Sequence, residues 1–116
     1  PDGYTIGLIP GGPVAVQPHL SQLPYRGPGD IRPVIKVVRL PVVLAVRADA
    51  PWQTAKELLD FARANPGQVR VGHGGIGTIP HIDLELLKQQ AWVDMTHVPF
   101  SGAPEANSAL LGRSTS

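Results

Sequence analysis

Thirteen consecutive residues constrain this chain more than any other stretch: Val69-Arg70-Val71-Gly72-His73-Gly74-Gly75-Ile76-Gly77-Thr78-Ile79-Pro80-His81. Apolar and polar residues first alternate as in a half-buried strand, glycines then permit a sharp reversal, and Thr78 with Pro80 opens a helix. A strand that runs through a tight turn into a helix calls for an α/β layer arrangement. The same grammar can build an anion site. Glycine lets a ligand approach main-chain N–H groups, and the first helical turn carries unpaired donors at the positive end of its dipole.

The remaining elements follow from similar signals. Thr54-Ala55-Lys56-Glu57 has capping-box spacing, and Ala55, Leu58, Leu59 and Ala62 then recur on one helical face with Phe61 at its margin; Asn65-Pro66-Gly67 ends that helix. A strand over Gln68–Val71 follows, then a helix from Ile79 to Gln90 offering Ile82, Leu86 and Leu87 to a core, then a strand over Met95–Val98. Ser101 reads as the N-cap of a last helix and Gly112 as its stop. Upstream, Tyr4–Ile9, Val34–Val38 and Val42–Val46 read as strand segments, Pro41 interrupts the latter pair, and Val14–Leu20 reads as a short helix carrying Pro18. From Val42 to Leu111 the order is β-α-β-α-β-α. That order predicts a parallel sheet, with ligands held outside the carboxyl ends of its strands.

Composition narrows the function. The net charge is +1, and ten Lys and Arg residues are scattered without a basic track, which argues against nucleic acid. Cysteine is absent, so disulfides, thiolate catalysis and cysteine zinc sites are excluded. The longest apolar run, Pro41–Val46, is far too short to cross a bilayer. Thirteen prolines and thirteen glycines punctuate element ends without forming a low-complexity block. The abrupt start at Pro1-Asp2-Gly3, directly before a strand signal, reads as an internal segment of a longer protein.

Gly72-His73-Gly74-Gly75-Ile76-Gly77 matches the dinucleotide pattern G-x-G-x-x-G, so a nucleotide-binding oxidoreductase that places pyrophosphate on this turn is the competing reading. Against it, Gly77 precedes the helix-start residues Thr78 and Pro80, and Asp94 lies before the next strand instead of at its end. A phosphate-binding P-loop fails for want of Gly-Lys-Ser or Gly-Lys-Thr. The glycines could also serve only as a tight connection. Three such turns shift the weighing: Gly11-Gly12, Gly74–Thr78 and Ser101-Gly102 each precede a helix start, and none holds Lys or Arg. Together they suit a carboxylate held by neutral N–H groups and hydroxyls.

No catalytic constellation is expected. Ser101-Gly102 lacks the Gly-x-Ser-x-Gly elbow, and Asp83 and Glu85 are explained by the helix dipole. The spacing of His73 and His81 permits a metal pair, yet no Asp, Glu or Cys accompanies them in the turn. The expectation is therefore no metal and no cofactor, with His81 steadying the loop, His19 and His97 structural, and Trp52 and Trp92 packed.

Several motifs, in order, resemble one family. They are Pro1-Asp2-Gly3-Tyr4-Thr5, Pro18-His19-Leu20, Leu23-Pro24-Tyr25, Ala64-Asn65-Pro66-Gly67, Gly75-Ile76-Gly77-Thr78 with His81, and Val93-Asp94-Met95 leading to His97-Val98-Pro99-Phe100-Ser101-Gly102. Each is weak alone; as a set they resemble the Bug family, the TctC-like extracytoplasmic solute-binding proteins of tripartite tricarboxylate transporters. The resemblance implies an incomplete α/β lobe of a type II periplasmic binding protein, a periplasmic location, a small organic acid ligand, membrane transporter subunits as partners and no enzymatic activity. It divides the chain into residues 1–38 in a first lobe, 39–102 forming the ligand-binding second lobe, and 103–116 as a helix and truncated tail.

Carried across by position, His73, Gly74, Gly75, Gly77 and Thr78 match the second lobe's ligand loop, Ser101 and Gly102 a further binding or hinge loop, and Gly11 and Gly12 the first lobe's contribution. Family members commonly carry a small polar residue where Gly74 stands and Asn where Ile76 stands. Main-chain contacts are therefore implied more firmly than side-chain ones. A lobe lacking strands would expose apolar surface, so self-association of this chain is also expected.

Overall fold

A computed structural model describes residues 2–112. The expectations placed on Pro1 and on the Arg113–Ser116 tail lie outside the described residues. Two halves behave differently. Residues 2–53 contain only a helical turn of wide pitch over Gly12–Val16, its continuation as α1 (Gln17–Leu20), and a 3₁₀ turn at Pro28–Asp30. Beyond them lie α2 (Ala55–Ala64), β1 (Arg70–His73), α3 (Ile79–Ala91), β2 (Thr96–Pro99) and α4 (Ala103–Leu111). Among the described residues no helix is long and apolar enough to cross a membrane.

The chain is α/β, and β1 and β2 pair in parallel with Arg70 opposite Thr96 and His73 opposite Pro99. The α2 start is the reciprocal cap read from sequence: Glu57 N–H donates to Thr54 Oγ1 at 3.2 Å, and Thr54 N–H to Glu57 Oε2 at 3.3 Å. Such a pair satisfies two otherwise orphaned donors. Leu58 and Ala62 of α2 are buried with Val69, Leu84, Val93 and Met95, while Leu59, Val71, Ala91 and Trp52 pack around them. Ala55 is exposed, and Phe61 instead meets Trp52, with ring centroids 5.1 Å apart.

Several expectations need correction. Tyr4–Ile9, Val34–Val38 and Val42–Val46 form no regular element and join no sheet. Alternating or continuous apolar residues state what a segment would bury, whereas a ladder also needs a neighbouring backbone in register. Val42–Val46 instead borders an open hollow of about 740 Å³ whose opposite wall includes Val69–His73. The sheet accordingly has two strands, not three. The Cα radius of gyration is 17.0 Å, against about 13 Å for a compact domain of this length.

The first paired strand begins at Arg70 because a turn with Gln68 N–H on Asn65 O, and Gly67 at φ +76°, occupies the preceding residues. In α3 the core residue is Leu84, while Leu86 stays 47% exposed. The inward stripe of this helix runs through His81, Leu84 and Ala91, and a histidine within it hid its direction from an apolar count. Pro18 is tolerated because it occupies the first turn of α1. Ser101 is not a cap; Gly102 is, with no side-chain bond. Gly112 ends α4 at φ −79°, outside the left-handed region. Trp92 is 87% exposed and ends α3 with φ +54°, its N–H and that of Val93 both returning to Lys88 O.

Candidate functional site

The chain returns to one place three times. A Cβ added to Gly12 would lie 3.2 Å from Gly77 O, and one added to Gly74 would lie 3.2 Å from Ala103 N and 3.3 Å from the Gly102 carbonyl carbon. Gly75, at φ +128°, packs against Phe100 O. Gly11-Gly12, Gly74–Thr78 and Ser101-Gly102 therefore meet as expected. Glycine is required here by close backbone approach, since any side chain at Gly12 or Gly74 would push the turns apart. Gln17 strengthens the junction by donating from Nε2 to Ile76 O at 3.3 Å.

The turn is held by its own polar groups. Thr78 Oγ1 donates to Gly75 O at 2.7 Å, and Thr78 N–H points to the same oxygen at 3.4 Å. Gly77 N–H donates to His81 Nδ1 at 3.2 Å. Ser101 N–H donates to Glu105 Oε2 at 2.7 Å, and this bond holds the Glu105 carboxyl below its ordinary range. A carboxylate oxygen thus already sits on one main-chain donor of the third turn. Of the expected donors, those of Gly75, Gly77, Thr78 and Ser101 all have internal partners.

His73 is the buried polar residue of the site, 4% exposed. Its Nδ1 lies 3.0 Å from Gly75 O and 3.3 Å from Gly75 N. One nitrogen cannot donate to the first and accept from the second, so the two contacts belong to the two tautomers of His73. Nε2 stands 3.3 Å from His97 Nδ1 and takes the complementary role in each. Burial holds the His73 pKa below its ordinary 6.5, the Gly75 carbonyl opposes that, and His81 and His97 add repulsion.

His97 was read as merely structural, yet it joins His73 and His81. Their ring centroids are 4.9, 5.5 and 5.4 Å apart. Parallel pairing set this up, because Val71 lies opposite His97 and His73 two residues further on the same face. His19 lies away from this trio on α1 and is exposed. Gly72, the first glycine of the dinucleotide pattern, sits inside β1 opposite Val98 and not in the turn.

The profile of the tripartite tricarboxylate transporter family receptor, TctC, matches residues 1–116. The chain belongs to the TctC family. It is 34% identical over 114 residues to a UPF0065 protein of Bordetella pertussis, covering 97% of this chain and 35% of that protein. It is 36% identical over 110 residues to the UPF0065 protein of the tcbD-tcbE intergenic region of Pseudomonas sp. strain P51, covering 95% and 33%. This TctC-family chain thus spans about a third of the length of the curated relatives it matches.

Among solved structures, a TctC solute binding protein from Polaromonas superposes with a TM-score of 0.57 at 40% identity, over 60% of this chain and 24% of that one. A periplasmic transporter structure gives 0.57 at 27% identity over 60% and 23%. The α/β architecture with a parallel strand pair is therefore the one solved in this receptor family. The family likeness is to solute receptors, and the nucleotide reading of the glycine turn finds no support in it.

Proposed function

We propose that this chain is part of a periplasmic receptor that captures a small carboxylate and presents it to tripartite transporter subunits without chemical change. The observation that carries this reading is the meeting of three glycine turns, one of which already holds a carboxylate oxygen on a main-chain N–H. Gly11, Gly12, His73, Gly74, Gly75, Gly77, Thr78, Ser101 and Gly102 are the proposed contacts. Among their main-chain donors, the Gly75 N–H makes the longest bond to a side chain, 3.3 Å to His73 Nδ1, and an incoming anion would compete with that ring for it. The ligand would compete with His81 for the Gly77 N–H and with Glu105 for that of Ser101.

Residues 1–38 are assigned to one lobe, 39–102 to the other and 103–116 to a helix and tail. The apolar residues of the first half, including Val34 at 88% and Val43 at 77% exposure, support association between two copies of this chain. A monomer in sedimentation at micromolar concentration contradicts that association.

Calorimetric titration of the full-length protein with dicarboxylates and aromatic acids tests the receptor reading. It predicts saturable binding that weakens when Gly75→Ala distorts the turn, since φ +128° disfavours any side chain. No binding across the panel rejects it.

A further inference from the structure

We propose that His73, His81 and His97 form a binding site for one Zn²⁺ ion, with a further coordination position left for water or an anion. The three offer ligand nitrogens that all lie within 4.8 Å of one another. Zinc bonds imidazole nitrogen at about 2.0–2.1 Å, so two nitrogens on a tetrahedral ion stand about 3.3 Å apart and the two ring centroids about 5.2 Å apart. His73 Nε2 and His97 Nδ1 are 3.3 Å apart, and the three centroid separations run from 4.9 to 5.5 Å. His73 Nε2 and His97 Nδ1 thus already stand at the separation of two nitrogens on one zinc ion, and the rings, with planes 19° and 22° apart, must turn to bring the third nitrogen, within 4.8 Å, onto the same point.

The surroundings favour a cation. With a metal ion on Nε2, His73 Nδ1–H would donate to Gly75 O, 3.0 Å away, the kind of outer partner that orients metal-bound histidine. His81 Nδ1 carries a lone pair, now accepting the Gly77 N–H, which the ion would replace. The one proton between His73 Nε2 and His97 Nδ1 moves on binding to the far nitrogen of the ring that carries it, Nδ1 of His73 or Nε2 of His97, so no proton is lost from the neutral cluster. His81 and His97 are half-buried, so the site is reachable. A set of three imidazoles without carboxylates selects zinc-like ions over Mg²⁺ or Ca²⁺.

The ion would share His73 and the surroundings of the Gly77 N–H with the proposed carboxylate site, so the test uses the metal alone. Untagged protein is titrated calorimetrically with ZnCl₂ and MgCl₂, and Co²⁺ is added as a spectroscopic probe. Expected are one Zn²⁺ per chain, no Mg²⁺ binding, and the intense visible bands of four-coordinate Co²⁺. His97→Gln should weaken Zn²⁺ at least about tenfold, as loss of even an outer partner does, while His97→Cys retains a ligand and adds a thiolate absorption to the Co²⁺ spectrum. His19→Gln should change nothing. Absence of Zn²⁺ binding, or stoichiometric binding unaltered in a folded His97→Gln protein, overturns the proposal.

Discussion

The segments over 34–46 are more apolar than the chain around the strand pair β1–β2, yet it is the residues just before those strands that are buried. Val34, Ile35 and Val43 are 88%, 78% and 77% exposed, whereas Val69 and Met95 are 7% and 1% exposed. The difference is not propensity, since both regions are rich in β-branched residues. It is partnership: β1 and β2 have each other, α2 and α3 supply Leu58, Ala62 and Leu84, and the earlier segments meet no backbone in register. Burial, not composition, converts an apolar residue into stability.

Mutations should divide along that line. The largest effect is expected for Met95→Ala, which empties a fully enclosed position and should cost about 2–5 kcal/mol in chemical unfolding. A loss under 1 kcal/mol would mean that the packed half is loose. Thr54→Ala removes one half of the α2 cap and should cost about 1 kcal/mol in the same measurement. An unchanged midpoint would show that Glu57 alone suffices.

Acidification should cost less, because the Gly75 carbonyl offsets part of the burial penalty on His73. The His73 pKa is depressed in the folded state, so the unfolded chain binds more protons just below its ordinary 6.5. Its stability contribution is complete above about that pH and is lost as pH falls through the lower folded value. A His73→Asn variant that folds should flatten this part of the pH–stability curve; an unaltered slope would assign it to another group. Smallest of all, Val43→Ser should stay within about 0.5 kcal/mol of the parent, as exposed substitutions do. A loss above 1 kcal/mol would show that the first half is partnered in solution and would break the comparison.

Much of the packed half was legible in the chain itself. The Thr54–Glu57 cap, the two paired strands within two residues and all three later helices follow from local signals, since each is decided by neighbours in sequence. What escaped was decided at a distance. The segments upstream of α2 lacked a partner that no local pattern could supply. His97 looked isolated until parallel pairing put it diagonally beside His73, and a two-residue offset on one sheet face was the signal available. Leu84 was passed over because His81, polar by type, occupies the inward stripe of α3. Ser101 carries the residue type of a cap, but the helix begins at Ala103, so Gly102 takes the cap position and Ser101 stands one residue before it. The glycine turns were each legible as the start of a helix, and what the structure adds is the close backbone packing of Gly12 on Gly77 and of Gly74 on Gly102 and Ala103.

The central claim is that these turns offer main-chain donors jointly to one carboxylate. Amide hydrogen exchange on the full-length protein, with and without a dicarboxylate that binds it, tests this most directly. The account predicts added protection confined to residues 74–78 and 101–103, with the amides over 54–64 unchanged. Protection gained elsewhere while both turns exchange at their ligand-free rates would contradict it.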